Sequence, residues 1–305
     1  KYRSRPYDDH EAEVRSMAKA TTGAGAELVP TTFLTTLEMA MVATSPLLQY
    51  ADVITTSTGE PMQWPTGDDT AVNATIISEE GSQDTSPTDI TLSTFTLSSF
   101  NYTSAFIKVS MQLTRDSIVD IDQLLAKMIG ERVARKMNID FTTGAGSTLP
   151  YGIVTQSSNG KTAASASAIA ASELIDLQHS VDPLYRGNST FMAHDNIIAA
   201  LRKLVDSQSR YLWESGINGG VPDMLCGRPI IYNQSMASSI STGGKTVLYG
   251  DFSYYKVRRV GNVQILKAQE RFIDKLQFGF LGYLAADANL LKWSGVNPVK
   301  RLTQA

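Results

Sequence analysis

Four short patterns in this chain could do chemistry if the fold placed them correctly. Ser241-Thr-Gly-Gly-Lys245-Thr246 has the ending of a phosphate-binding loop. That loop needs a further glycine where Ser239 stands, and it must open a helix whose amides hold the phosphate. Val247-Leu-Tyr predicts a strand instead, so the segment reads as a surface turn. Ser16-Met-Ala-Lys19 matches a serine–lysine nucleophile pattern by letters only, without the partner motifs such sites need. Glu79 and Glu80 are adjacent, and neighbouring residues of a strand face opposite ways, so they do not form an acid/base pair. His194-Asp195 could be a base with its orienter, but fits better as the start of a helix, with Asp195 as the cap. Asn73, Asn101, Asn188 and Asn233 open glycosylation sequons, which carry meaning only in a secreted protein.

Metal and thiol chemistry have little to work with. Cys226 is the single cysteine, which excludes an internal disulfide and any multi-cysteine zinc site. His10, His179 and His194 are scattered. No catalytic constellation, metal site or cofactor site is predicted, and the expectation is a protein that is not an enzyme.

The elements that would have to position any site come from a chain of 305 residues, 42% hydrophobic and 19% charged. That is enough for a sizeable core in one large or two intermediate domains, and too apolar for disorder. No apolar run reaches the ~18 residues a membrane-crossing helix needs, so no membrane partner is expected. No secretory leader is apparent, and a first residue of Lys1 rather than methionine predicts processing or cropping.

The net charge of −3 conceals an uneven distribution. From Ala20 to Ile107 there is no lysine or arginine, while Glu27, Glu38, Asp52, Glu60, Asp68, Asp69, Glu79, Glu80, Asp84 and Asp89 are all acidic. Residues 108–305 carry 22 basic and 16 acidic groups. Such asymmetry fits either a solvated acidic insertion or a charge-steered interface. Lys256 with Arg258 and Arg259, and Arg132 with Arg135 and Lys136, form local basic clusters, but the chain as a whole is acidic, whereas sequence-specific DNA binders show a basic face. They allow non-specific contact with packed DNA.

Residues 1–26 read as an arm, and the apolar residues from Leu28 to Val42 as a short helix stopping before Pro46. Residues 55–90 are rich in turn-forming residues with thin apolar punctuation, including Met62, Trp64 and Val72. They read as a long projecting two-stranded hairpin. Strand signal follows at Phe95 and Leu97, at Phe100 and Tyr102, and at Ile107, Val109 and Met111, with a phase change at Ser98-Ser99 that suggests a bulge or bend.

The strongest helix is predicted over about 118–143. Ile118, Ile121, Leu125, Met128, Val133 and Met137 form its stripe, widened by Leu124 and Ile129. It is capped by Asp116 or Ser117, is ended by Gly144, and would be roughly 39 Å long. Further helices are expected over 172–181 and from Asp195 through Val205. Strands are expected over 190–192, 246–249, 254–258, 263–267 and 276–291.

Several phrases, in their order and spacing, resemble the major capsid proteins of tailed double-stranded DNA bacteriophages, the HK-97 fold family. One is Phe141-Thr-Thr-Gly144-Ala-Gly146-Ser-Thr-Leu-Pro150-Tyr-Gly152-Ile153, similar to the family's glycine-rich turn and Pro-x-Gly-Ile step after its long helix. Another runs from Leu201 through Asp206 to Arg210-Tyr211-Leu212-Trp213, similar to a helix ending in Gly-Arg-Tyr-Leu-Trp. Ser209 stands where that glycine falls, a change expected to matter little. Leu225-Cys-Gly227-Arg-Pro229-Ile230 is similar to a Leu-x-Gly-x-Pro-Val phrase. Gly250-Asp251-Phe252, followed by Arg259-Val-Gly261, and Val109-Ser110 to Asp116-Ser117 also fit.

The resemblance implies an α+β, HK-97-like capsid fold. Its parts would be an N-terminal arm over 1–29, a first piece of peripheral domain over 30–54 and an extended loop over 55–90. The rest of the peripheral domain, with the spine helix, would cover 91–150, an axial domain 151–260, and a return to the peripheral domain and C-terminus 261–305. Arm and loop would reach over neighbouring subunits, with Trp64, Asp68, Asp69, Glu79, Glu80, Asp84 and Asp89 making the loop's contacts. Ile121, Leu125, Arg132, Arg135 and Lys136 would belong to the spine. Some family members weld their shells with an isopeptide bond between a loop lysine and a neighbour's asparagine. This loop has no lysine, and no asparagine lies between Asn262 and Asn289, so that weld is expected to be absent.

The implied function is a structural one in the virion capsid. The chain would self-assemble as pentamers and hexamers into an icosahedral head around double-stranded DNA in the host bacterial cytoplasm. Scaffold, maturation protease, portal and decoration proteins would be possible partners. The residues agree with this, since arm, projecting hairpin and long rod make sense only where neighbours bury them. The nearest alternative is an encapsulin-type compartment shell, and a more distant one a monomeric β-rich adhesin or glycosidase.

Overall fold

The computed structural model describes residues 45–68, 76, 79, 91–116, 121–206, 208–213, 224–268, 270–292 and 296–305. The arm, the helix expected before Pro46 and the Asp116/Ser117 capping region's Ser117 lie outside the described residues. So do Asp69, Glu80, Asp84 and Asp89.

In chain order, the first elements are α1 (Pro46–Tyr50), β1 (Asp52–Thr56), β2 (Met62–Asp68), β3 (Thr91–Leu97), β4 (Phe100–Thr103) and β5 (Ile107–Ser110). They are followed by α2 (Met111–Asp116), the long α3 (Ile121–Thr143), α4 (Ile153–Gln156), β6 (Ser158–Thr162), α5 (Ala171–Ser180) and α6 (Pro183–Arg186). Then come β7 (Thr190–Ala193), α7 (Asp195–Arg202), β8 (Met224–Leu225), β9 (Arg228–Tyr232) and β10 (Lys245–Gly250). The 14-residue strands β11 (Tyr255–Ala268) and β12 (Gln277–Leu290) and a final β13 (Val299–Thr303) complete the series.

β11 and β12 form a long antiparallel hairpin, with Tyr255 opposite Leu290 and Ala268 opposite Gly279. A register shift between Val260 and Gln264 includes Gly261, whose φ of +63° glycine tolerates. β1 runs parallel to β11, and β4 and β5 both pair with β12. Across this sheet lies α3. Leu125, Ile129, Val133, Met137 and Phe141 recur every four residues and are all at most 5% exposed. They form the ridge that packs with Phe280, Leu284, Ala286, Ala288 and Leu290 of β12. At the crossing, a Cβ on Gly282 would lie 2.2 Å from Ile129 Cγ2, so the close approach of helix and sheet depends on that glycine. Each fully buried large side chain in this ridge contributes about 1.5–3 kcal/mol.

The second sheet has the order β6-β13-β10-β7-β9-β8. Its central strands are apolar on both faces, as a doubly covered strand must be. Phe191, Ala193, Val247, Tyr249 and Leu302 face a cluster with Leu174 and Leu177 of α5 and Ile197, Ile198 and Leu201 of α7. Met192, Leu248 and Val299 face the α3 cluster instead. β13 lies between β6 and β10, so residues 299–303 join this sheet. The third sheet is the antiparallel pair β2–β3 alone.

Several local expectations change. Met111 opens a helix instead of ending a strand, because Ser110 Oγ accepts from Gln112 N at 3.2 Å and Ser110 O accepts from Thr114 Oγ1. Leu124 and Met128 are 52% and 39% exposed, since the strict four-residue ridge already fills the inward face. The cap of α7 is His194, whose Nδ1 accepts from Asn196 N at 3.0 Å, and the helix ends at Arg202. β11 is continuous where two strands were expected.

Candidate functional site

The projecting pair β2–β3 is held at its neck by buried charge. Thr56 to Pro61 lead out along one side, and Leu97 to Ser99 return along the other. Between them sits Arg258 of β11, only 2% exposed. Its Nε donates to Thr56 Oγ1 at 3.1 Å and its Nη2 to Thr58 O at 2.8 Å. Its Nη1 donates to Leu97 O at 3.0 Å and to Ser98 O at 3.1 Å. Directly across the ladder, Asp287 accepts from Ser98 N through Oδ2 and from Ala288 N at 2.7 Å through Oδ1. Burial pushes the Asp287 carboxyl up, against those two amides and the Arg258 charge, which pull it down. Ser99 Oγ donates to Gly59 O at 3.1 Å and joins the two neck strands.

Beyond the neck, Trp64 and Phe95 are paired in register and stack at 5.9 Å with planes 15° apart. Phe95 is buried and Trp64 half-buried, while Leu92 is 70% exposed. Asp68 closes the β2–β3 ladder opposite Thr91, and Glu79 is exposed.

The spine helix presents Leu124, Lys127, Met128, Arg132, Arg135, Lys136 and Ile139 outward. Lys136 also pairs with Asp140 at 2.7 Å. Ile121 packs partly buried against the core that encloses Leu125. Asp140 itself is buried beside Tyr102, whose hydroxyl is raised by desolvation and then by that carboxylate. The buried Tyr255 hydroxyl shares its one hydrogen between Phe141 O at 2.9 Å and Tyr151 O at 2.8 Å, fixing the turn after the helix to β11.

That turn explains one family-like phrase physically. Gly144 N donates to Asp140 O at 2.7 Å and Gly152 N to Gly144 O at 3.0 Å. A Cβ on Gly144 would lie 2.3 Å from the carbonyl oxygen of the buried Pro150, and one on Gly152 2.4 Å from Gly144 N. Gly146 has φ +86° and lies against the Tyr151 ring. In the second phrase, Asp206 accepts from Gln208 N and Arg210 N and pairs with the Arg210 guanidinium at 2.9 Å. Val205 and Tyr211 form a bridge, Tyr211 is exposed, and Arg202 lies 5.3 Å above the Trp213 ring. Ser209 has φ +62°, the left-handed region, so the serine in place of glycine carries strain and does matter.

In the third phrase, Cys226 and Gly227 have φ of +49° and +73° and make the two-residue turn between Leu225 and Arg228, with Pro229 in the strand that follows. In the fourth, Gly250 would place a Cβ 2.1 Å from Pro298 O, Asp251 Oδ1 accepts from Ser253 N at 2.9 Å, and Phe252 is buried in the core. The Ser241–Thr246 segment is a turn leading into β10, as expected.

Sequence reasoning missed Arg258, Asp287, Asn138 and Asn233. The sequence places Arg258 in a basic cluster with Lys256 and Arg259, yet Arg258 is buried, and Lys256 is paired with Asp52 at 2.7 Å. A signal was present in Ala285-Ala286-Asp287-Ala288, where one carboxylate interrupts an apolar strand and so demands a buried partner. Among the described residues no group of histidine, cysteine, aspartate and glutamate could hold a metal ion. No described helix is long and apolar enough to cross a membrane.

The described fold is a long helix laid across a long hairpin sheet, a second sheet apolar on both faces at its centre, and a separate two-stranded hairpin. Solved capsids share this architecture at low identity. The chain is similar to the capsid of a native GTA particle, with a TM-score of 0.71 and 20% identity over 98% of this chain and 99% of that one. It is similar to the capsid of an empty GTA particle, at 0.72 and 22% over 96% and 97%. It also matches Mycobacterium phage Cain, at 0.65 and 14% over 98% and 99%. A search of curated proteins found no match. The model of the phage capsid family matches residues 25–300, and the chain belongs to that family. It is a major capsid protein, a structural component of the virion shell that assembles with copies of itself, and not an enzyme.

Proposed function

We propose that this subunit forms pentamers and hexamers of an icosahedral head enclosing double-stranded DNA, clasped by non-covalent contacts and without an isopeptide weld. The observation that supports this most is the isolated β2–β3 pair. A two-stranded hairpin is marginal in water, and its half-buried Trp64 and exposed Leu92 leave apolar surface for a neighbour to cover. Residues 55–90 supply acidic groups and no lysine, which suits attraction to a basic neighbour and offers no amine for a weld. Many weak contacts of this kind add up through multivalency. The parts played by residues 1–29 as an arm, by 151–260 as the axial domain and by any scaffold, protease, portal or decoration protein belong to the same proposal.

The test is to purify assembled particles, image them, identify their contents and boil them in denaturing detergent. Closed icosahedral shells containing DNA, dissolving to a single monomer band, are expected. Covalent ladders would overturn the non-covalent clasp, protein cargo in place of DNA would favour a compartment shell, and a persistent monomer would overturn the assembly reading.

A further inference from the structure

We infer that Arg258 is a positioning residue that fixes the direction in which the β2–β3 hairpin leaves the body, acting as one clamp with Asp287. The argument is geometric. The outgoing side of the neck is laddered to β11 only as far as Thr56, opposite Val260. The returning side re-enters a ladder at Phe100, opposite Ala286. Between these points, 57–61 and 98–99 are not paired as strands. Arg258 spans that gap. From one planar guanidinium it reaches Thr56 and Thr58 on the outgoing side and Leu97 and Ser98 on the returning side.

Asp287 takes the Ser98 amide from the same peptide region whose carbonyl Arg258 holds. Ser98 is thereby gripped at both its N–H and its C=O. Because Arg258 and Asp287 face each other across β11 and β12, the grip is anchored in the middle of the first sheet. A lysine cannot replace this: its single nitrogen cannot fork to both strands of the neck. The Thr56 hydroxyl completes the arrangement by donating to Thr58 O at 3.1 Å, which braces the outgoing strand.

The experiment is a distance measurement in the unassembled full-length protein between spin labels on native Cys226, which is exposed, and on Gln63→Cys in the exposed outer row of β2. The unaltered neck should give one narrow distribution. Arg258→Lys should widen it at least twofold, Arg258→Met should widen it further, and Thr56→Val, which removes one acceptor, should widen it measurably while folding normally. Widths equal to the parent in all three overturn the inference, as does a widening that appears only together with loss of the folded circular-dichroism spectrum. The assembly consequence rests on the clasp reading of the hairpin. Arg258→Lys should lower shell yield at least tenfold at equal concentration. Widening without any fall in yield would leave the clamp standing and remove the clasp.

Discussion

Asn138 of the spine helix donates to Asn233, just past β9, at 3.0 Å, with both side chains buried. Asn138 also donates to Ser235 Oγ at 2.8 Å and accepts from Ser45 Oγ at 3.1 Å, while Asn233 donates to Thr142 Oγ1 at 2.9 Å. One polar cluster therefore sets the register of α3 against the second sheet. Asn138→Ala is expected to leave Asn233, Ser45 and Ser235 short of partners and to destabilise the subunit by about 2–4 kcal/mol. Urea unfolding of the unassembled protein measures it, and a loss below about 1 kcal/mol would mean the cluster is not satisfied as drawn.

The turn after the spine helix should be intolerant of a single methyl. Gly144→Ala meets two backbone carbonyls at 2.3 and 2.4 Å, neither of which can swing aside, and is expected to cost more than about 3 kcal/mol. Gly187→Ala, where nothing lies within 4 Å and φ is −52°, should be neutral or slightly stabilising. Parallel thermal melts decide it; equal melting points would contradict the packing.

Ser209 offers the opposite case. Its φ of +62° predicts that Ser209→Gly stabilises the subunit by about 0.5–1 kcal/mol, and that Ser209→Val, with its branched side chain, destabilises it. A melting point for Ser209→Gly at or below the parent's would show that the loop holds no strain there.

Acid should loosen the same loop. The amide of Arg210, followed by that of Gln208 and the Arg210 side chain, holds the Asp206 carboxyl below its ordinary value of 3.8. The folded loop thus binds the proton less readily than the unfolded chain does. Its contribution is complete above pH ~4 and is lost as pH falls through the lowered folded value. Amide exchange at Gln208 and Arg210 should accelerate below pH ~4, after correction for intrinsic rates, and should be insensitive to pH in Asp206→Asn. Pronounced acceleration in both proteins would assign the effect elsewhere.

Neutralising Glu79, Glu80, Asp84 and Asp89 together should slow assembly most at low ionic strength and leave it unchanged at high salt, where screening already removes long-range attraction. Light scattering across a salt series follows it. An assembly rate equal to the parent's at every salt concentration would exclude charge steering.

The sequence made the strands and the spine legible for one reason. Their apolar periods of two and four residues are local signals, and Leu125 through Phe141 or Phe278 through Leu290 show them plainly. The glycine phrases were legible as resemblance, and the structure supplies the cause, since Gly144, Gly152 and Gly250 lie where a methyl would collide with backbone. What could not be seen was long-range polarity. Arg258 meets partners 160 to 202 residues away and Asn138 meets Asn233 at a separation of 95, so no window of sequence contains either arrangement. Hydrophobicity alone also places Leu124 inward, whereas it is 52% exposed because the four-residue ridge already fills the inward face.

The place of β13 has a consequence for synthesis. Thr303 reaches back across 144 residues to Asn159, and its strand fills the space between β6 and β10. A nascent chain released before Val299 would expose both of those strands as bare edges, the geometry that invites misassociation. Only a polypeptide translated through Thr303 can close that sheet. The ribosome must therefore finish this strand before a subunit is fit to enter a lattice in which one defective copy would weaken every contact around it.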